Sequence, residues 1–225
     1  GLFTNFEVVT DADTMWTPPR SIPYQNGAWV TNSDESGFPP ARRIIRIVLH
    51  AHGNNVLTVQ GGEHLFDVMD TVRQTTYQEG WSYHDLCQQD TLHHSDECPI
   101  TGASRFWTDH NRTLFREEVT TDDEAREAFS KTTYSDGSPV NRLFIYGNAN
   151  PVSSSSTNKT DSLLDSAESF LTEIHLPDVA DAEDFEVAVT NNLFQLRQSW
   201  AENPSQSIFW LEFQTQRSYA DELKR

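Results

Sequence analysis

Hydrophobic positions along this chain change period several times, and each change marks a predicted element. Arg42–Ala51 (Arg-Arg-Ile-Ile-Arg-Ile-Val-Leu-His-Ala) is a β-branched run of strand length closed by Gly53-Asn-Asn, and it predicts a strand. From Glu63 to Gln78 the period lengthens, with Leu65, Val68, Met69 and Val72 recurring on one face of an amphipathic helix that follows Gly61-Gly62. Thr121-Asp-Asp-Glu124 has the form of a capping box and predicts a short helix to about Lys131, with Ala125, Ala128 and Phe129 inward. Arg142–Gly147 reads as a second strand. Thr160 or Asp161 then caps a predicted helix to His175, whose inward face is Leu163, Ala167, Phe170, Leu171 and Ile174 and which Pro177 ends. The acids around Asp181–Asp184 open a further helix with Phe185, Val189, Leu193, Leu196 and Trp200 inward. Ser207–Phe213 is nearly continuous apolar, as an interior strand is, and Ser218–Arg225 is helix-forming.

Pro18, Pro19 and Pro23 forbid a helix through the opening, so residues 1–41 form an extended N-terminal arm. The order strand, helix, insertion, strand, helices, strand predicts an α+β sandwich with helices over one face of a small sheet. The core is residues 42–78 and 139–216, the insertion is 79–138, and the 225 residues suit a single domain.

Composition narrows the class. Thirty-four acidic against sixteen basic residues give a formal charge of -18, which repels nucleic acid and anionic headgroups. No stretch reaches the about eighteen apolar residues of a membrane span. Cys87 and Cys98, the only cysteines, are close in sequence and have polar neighbours, so they read as a disulfide closing a small surface loop rather than as two free thiols. Such a bridge implies an oxidising compartment and stabilises by about 3 kcal/mol in the chain-entropy account. The sequons Asn111-Arg-Thr113 and Asn158-Lys-Thr160 point the same way, whereas Asn203-Pro-Ser205 is excluded by its proline.

Chemistry is sparse. His50 and His52 share a strand face and make the start of a zinc site, and His93-His94 lies near Asp96 and Glu97, yet each lacks an evident further ligand. Nucleophile elbows, zincin helices and phosphate loops are absent from the sequence, and no cofactor motif is present, so the chain reads as a non-enzyme. The aromatics Phe38, Trp81, Tyr83, Phe106, Trp107 and Tyr134 fall outside the clear elements. They form either a satellite core of the insertion or an apolar surface for a lipid or partner, the second centred on Phe106, Trp107, Trp81 and Tyr83.

Three short motifs in order carry a resemblance. Thr14-Met-Trp16 with Arg20-Ser21, Tyr83-His-Asp-Leu-Cys87 with Cys98-Pro-Ile, and Phe213–Leu223 with its Arg-Ser-x-x-Asp-Glu-Leu segment resemble the first extracytoplasmic domain of the Patched, Dispatched and Niemann-Pick type C family of sterol-sensing, resistance-nodulation-division-type transporters. Gly37-Phe-Pro-Pro40 stands where the family carries a Phe-Gly-Pro-Phe-type segment, and Leu176–Asn192 is longer than in relatives. The resemblance implies a ferredoxin-like α/β sandwich with a disulfide-stapled insertion, standing on the extracellular or luminal side of a plasma or endosomal membrane. Residues 217–225 would then begin a linker helix to a membrane segment. Its implied partners are a sterol or other lipid, its own transmembrane domain, a second extracytoplasmic domain and a protein ligand. A receptor-like binding module without transport and a secreted metal-dependent hydrolase built on His50 and His52 are the alternatives.

Overall fold

The strand predicted at Arg42–Ala51 is the middle of the sheet. The computed structural model describes residues 42–51, 53, 55–89, 98–152, 163–203 and 208–215. The expectations for the arm 1–41, the tail 217–225, Asn158, His52 and His93-His94 lie outside these residues. In chain order the elements are β1 (Arg42–Ala51), α1 (Val59–Gln74), the short β2 (Thr76–Tyr77) and β3 (Trp81–Ser82), α2 (Tyr83–Gln88), β4 (Ile100–Thr101), α3 (Arg112–Glu118) and α4 (Asp122–Phe129). There follow α5 (Arg142–Ile145), β5 (Tyr146–Gly147), β6 (Asn150–Pro151), β7 (Leu164–Ser166), β8 (Ser169–Pro177), α6 (Ala180–Glu202) and β9 (Phe209–Gln214).

The main sheet is antiparallel in the order β4-β8-β1-β9, with β5 also paired to β8. Alternation along β1 puts Ile45, Ile47, Leu49 and Ala51 on one buried face. Their cross-strand partners continue that face, with Ile174, Thr172 and Phe170 on β8 and Phe213, Leu211 and Phe209 on β9. The apolar sides of α1 (Leu65, Val68, Met69, Val72) and α6 (Phe185, Val189, Leu193, Trp200) join them in a single hydrophobic cluster. The chain is therefore α+β with one disulfide, Cys87–Cys98. Among the described residues no helix is long and apolar enough to cross a membrane.

Three local expectations are corrected. Helix α1 starts at Val59, not Glu63, because Thr58 is its N-cap and accepts from the Gly61 N–H at 2.9 Å. Gly61 and Gly62 lie inside its first turn, where a Cβ on Gly62 would stand 2.2 Å from the Phe115 ring. Residues 142–147 are a single helical turn ending in the two-residue β5, since the Phe144 and Ile145 amides both bond back to the Asn141 carbonyl. The helix expected to reach His175 is β7 followed by β8. Phe170, Thr172, Ile174 and Leu176 alternate inward and pair with β1, and that pairing outweighs the helical spacing of Leu163, Ala167, Phe170, Leu171 and Ile174.

One buried ion pair seats α6 on the sheet. Arg43 on β1 grips Glu186 with two bonds of 2.9 and 3.2 Å and also reaches Glu183 at 3.3 Å. Glu186 is fully buried, so Arg43 supplies the hydrogen bonds and countercharge that its removal from water calls for. Arg43→Leu is expected to cost about 3–5 kcal/mol in urea unfolding, and Arg43→Leu with Glu186→Leu far less, because only the single change strands a buried charge. Equal losses in both variants would contradict this.

Candidate functional site: an aromatic patch beside the edge strand

The aromatic set, left open between a satellite core and a contact surface, is mostly interior. Phe106, Trp107 and Tyr83 are 4%, 3% and 2% exposed, so they are corrected from contact residues to core residues. Trp107 packs on Phe115 at 5.0 Å and Phe129 at 5.5 Å, and Phe129 meets Phe170 of β8 at 4.8 Å, so the insertion shares the core of the sheet instead of making a satellite. The Trp107 indole N–H, which burial would otherwise leave unpaired, donates to Glu118 at 2.8 Å. Of the four, only Trp81 reaches solvent, at 47% exposure on the β2–β3 hairpin.

The Cys87–Cys98 bridge is present, with both cysteines buried; residues 90–97 of the loop that it closes lie outside the described residues. Helix α2 explains the placement. Ser82 and Asp85 form a capping box, His84 and Asp85 face water, and Tyr83, Leu86 and Cys87 face the core. The Tyr83 hydroxyl donates to the Cys98 carbonyl at 3.3 Å.

Beside α1 the charges are organised around Arg112. Its guanidinium bonds Glu63 at 2.9 Å, Asp67 at 2.5 Å and Asp70 at 2.9 Å, tying α3 to α1, while Arg116 adds a second grip on Glu63 at 2.6 Å. Arg116 and Arg112 hold the Glu63 carboxyl below its usual range. Burial pushes Asp67 upward, but hydrogen bonds from His64 and Arg112 outweigh it and the net direction is down. The buried His64 ring also packs at 4.5 Å on both Trp200 and Phe209, linking this cluster to the core. Just before Arg112, Asp109 and His110 have φ of 55° and 49°, a left-handed backbone that Arg73 holds by donating to both carbonyls. The His110 Nδ1 is 2.8 Å from the Ser104 hydroxyl, and burial, with Arg73 and Arg105 nearby, pushes its imidazole down to about 3.

The metal expectation finds no support at His50, whose Nε2 lies 3.6 Å from Glu212. Among the described residues no group of three or more His, Cys, Asp or Glu side chains is arranged to hold a metal ion. On the sheet face opposite the helices, Arg46 donates to Glu173 at 2.6 Å, and His175 is held below its usual range by burial together with Arg42 and Arg46, against the pull of Glu173.

The surface that stands out is beside β9, the end strand of the sheet path. The Arg197 guanidinium of α6 lies 4.8 Å from the Phe194 ring, 4.9 Å from Trp210 and 5.9 Å from Phe213. Phe194 and Trp210 are 43% and 37% exposed, and Ile208 is also open to solvent. Here half-exposed aromatic rings surround one stacked cation, an arrangement that can take up apolar surface by contact. Sequence reasoning missed it by reading 207–213 as interior, although the alternation Trp210, Glu212, Gln214 marks an outward row. It also passed over Leu143, which is 94% exposed on α5.

No family model and no curated protein matches the chain.

The depressed imidazole gives a signed pH dependence. His110 folds neutral, so its contribution is complete above the ordinary histidine value near 6.5 and is lost as pH falls toward about 3, by up to about 1.4 kcal/mol per pH unit. Glu63 and Asp67, also depressed, add loss only lower, below the ordinary carboxylate range. His110→Asn, a residue that tolerates the left-handed backbone, is expected to flatten the fall in urea-unfolding stability between pH 6.5 and 4.5 without abolishing it, since His175 shifts in the same direction. Identical pH slopes in the two proteins would contradict the assignment.

Proposed function

We propose that the chain is the extracytoplasmic domain of a membrane protein that moves a sterol or another lipid, contributing a lipid conduit or partner-docking surface by non-covalent contact. The observation that carries this reading is the interleaved sheet. The pairs β1–α1 and β8–α6 alternate with strands in the order edge, β8, β1, β9, all antiparallel, which supports a ferredoxin-like β-α-β-β-α-β sandwich with β5 as its abbreviated second strand. The Cys87–Cys98 bridge supports an oxidising compartment, and so the extracellular or luminal side of a membrane. The resemblance at Trp16, at Tyr83–Cys87 with Cys98, and at Phe213–Leu223 supports the Patched, Dispatched and Niemann-Pick type C family.

In this reading the Phe194–Arg197–Trp210 patch is the contact surface. Two half-exposed aromatic faces cover the apolar body of a sterol or lipid, and the guanidinium meets a polar or anionic headgroup. Membrane helices outside these residues supply the coupling to an ion gradient. The full-length protein in vesicles is expected to move a fluorescent sterol or phospholipid faster with an ion gradient than without. Phe194→Ala with Trp210→Ala is expected to slow that movement by roughly tenfold while leaving the fold intact by circular dichroism. Lipid movement indifferent to gradient and substitutions would overturn the proposal, and tight capture of a protein ligand without lipid movement would favour the receptor-like alternative.

A further inference from the structure

We infer that Asn111 is an N-glycosylation site whose glycan coexists with the helix cap made by the same side chain. The inference rests on the extracytoplasmic reading above. Asn111 is the N-cap of α3, and its Oδ1 accepts from the Thr113 amide at 2.8 Å and the Leu114 amide at 3.3 Å. Its Nδ2 makes no hydrogen bond to a described residue, and both Asn111 and Thr113 of the sequon are exposed. The two ends of one amide therefore have separate roles. Attachment forms a bond from Nδ2 to the anomeric carbon of an oligosaccharide activated as a glycosyl diphosphate. The anomeric C–O bond breaks, its electron pair leaves with the diphosphate, and Nδ2 loses one proton. Oδ1 remains a carbonyl oxygen, so capping persists in the product.

The surroundings fix where the glycan stands. Arg73 holds the carbonyls of Asp109 and His110 just before the site, and the Arg112 grip on Glu63, Asp67 and Asp70 follows it, so the sugar leaves from an anchored corner. On the extracytoplasmic reading that corner faces water, and the patch beside β9 remains for contact with lipid or partner.

The test directs the chain into the secretory pathway of a eukaryotic cell behind a cleavable signal, so that entry is imposed and only the site is in question. Glycopeptide mass spectrometry of the secreted, disulfide-bonded protein is expected to find a glycan on Asn111, removed by peptide-N-glycosidase. Thr113→Ala and Asn111→Asp are both expected to lose it and to keep the wild-type unfolding midpoint, because each retains a capping oxygen; Asn111→Ala loses the cap as well and unfolds at a lower midpoint. An unmodified Asn111 in secreted, folded wild type would overturn the inference while leaving the extracytoplasmic reading standing. A glycan that lowers the midpoint relative to the enzymatically stripped protein would overturn the claim that it coexists with the cap.

Discussion

Pairing of β1 on both edges is the constraint the rest of the fold obeys. Because β8 and β9 both register against it, the alternation of Ile45, Ile47, Leu49 and Ala51 sets which residues of three strands face the helices. A slip of one residue would turn every one of them outward and bring Arg46 and His50 into the core. The same strand carries Arg43, whose pairing with the buried Glu186 fixes where α6 meets the sheet. Strand register and helix placement are thus determined together by ten residues.

The insertion is built into that core. Its aromatics pass contacts from Trp107 through Phe129 to Phe170 on β8, while Phe115 fits against Gly62 on α1. Buried bridge, capping boxes and the Arg112 cluster hold short, irregular elements that have little stability alone. An acidic chain with so few cations spends several of them on holding elements together: Arg43, Arg73, Arg112 and Arg116 all bind across elements. Arg197 also works across elements, stacking from α6 on Trp210 and Phe213 of β9.

Legibility in the sequence followed locality. β1, the inward faces of α1 and α6, and the Thr121 capping box are patterns of neighbouring residues and were readable as such. β8 was not, because Leu163, Ala167, Phe170, Leu171 and Ile174 satisfy helical spacing and only pairing with a strand over a hundred residues away chooses otherwise. Cysteine pairing was legible from spacing, but its burial was hidden by His84 and Asp85, which occupy the wet side of the same short helix. Phe106 and Trp107 sit in tight turns with no period, so nothing local told inside from outside. The patch beside β9 was half legible: Phe194 follows the inward Leu193, and the outward row of β9 was masked by an apolar run.

The central claim is that this α+β unit is a contact domain standing on a membrane bundle. Determining the coding sequence on both sides of it, with protease-protection mapping of the full-length product, tests that most directly. The account predicts membrane-spanning helices encoded on both sides of the unit, with the unit protected inside sealed vesicles derived from the secretory pathway. A stop codon at Arg225, or a signal-peptidase cleavage site at Leu2 releasing a free secreted protein, would contradict it.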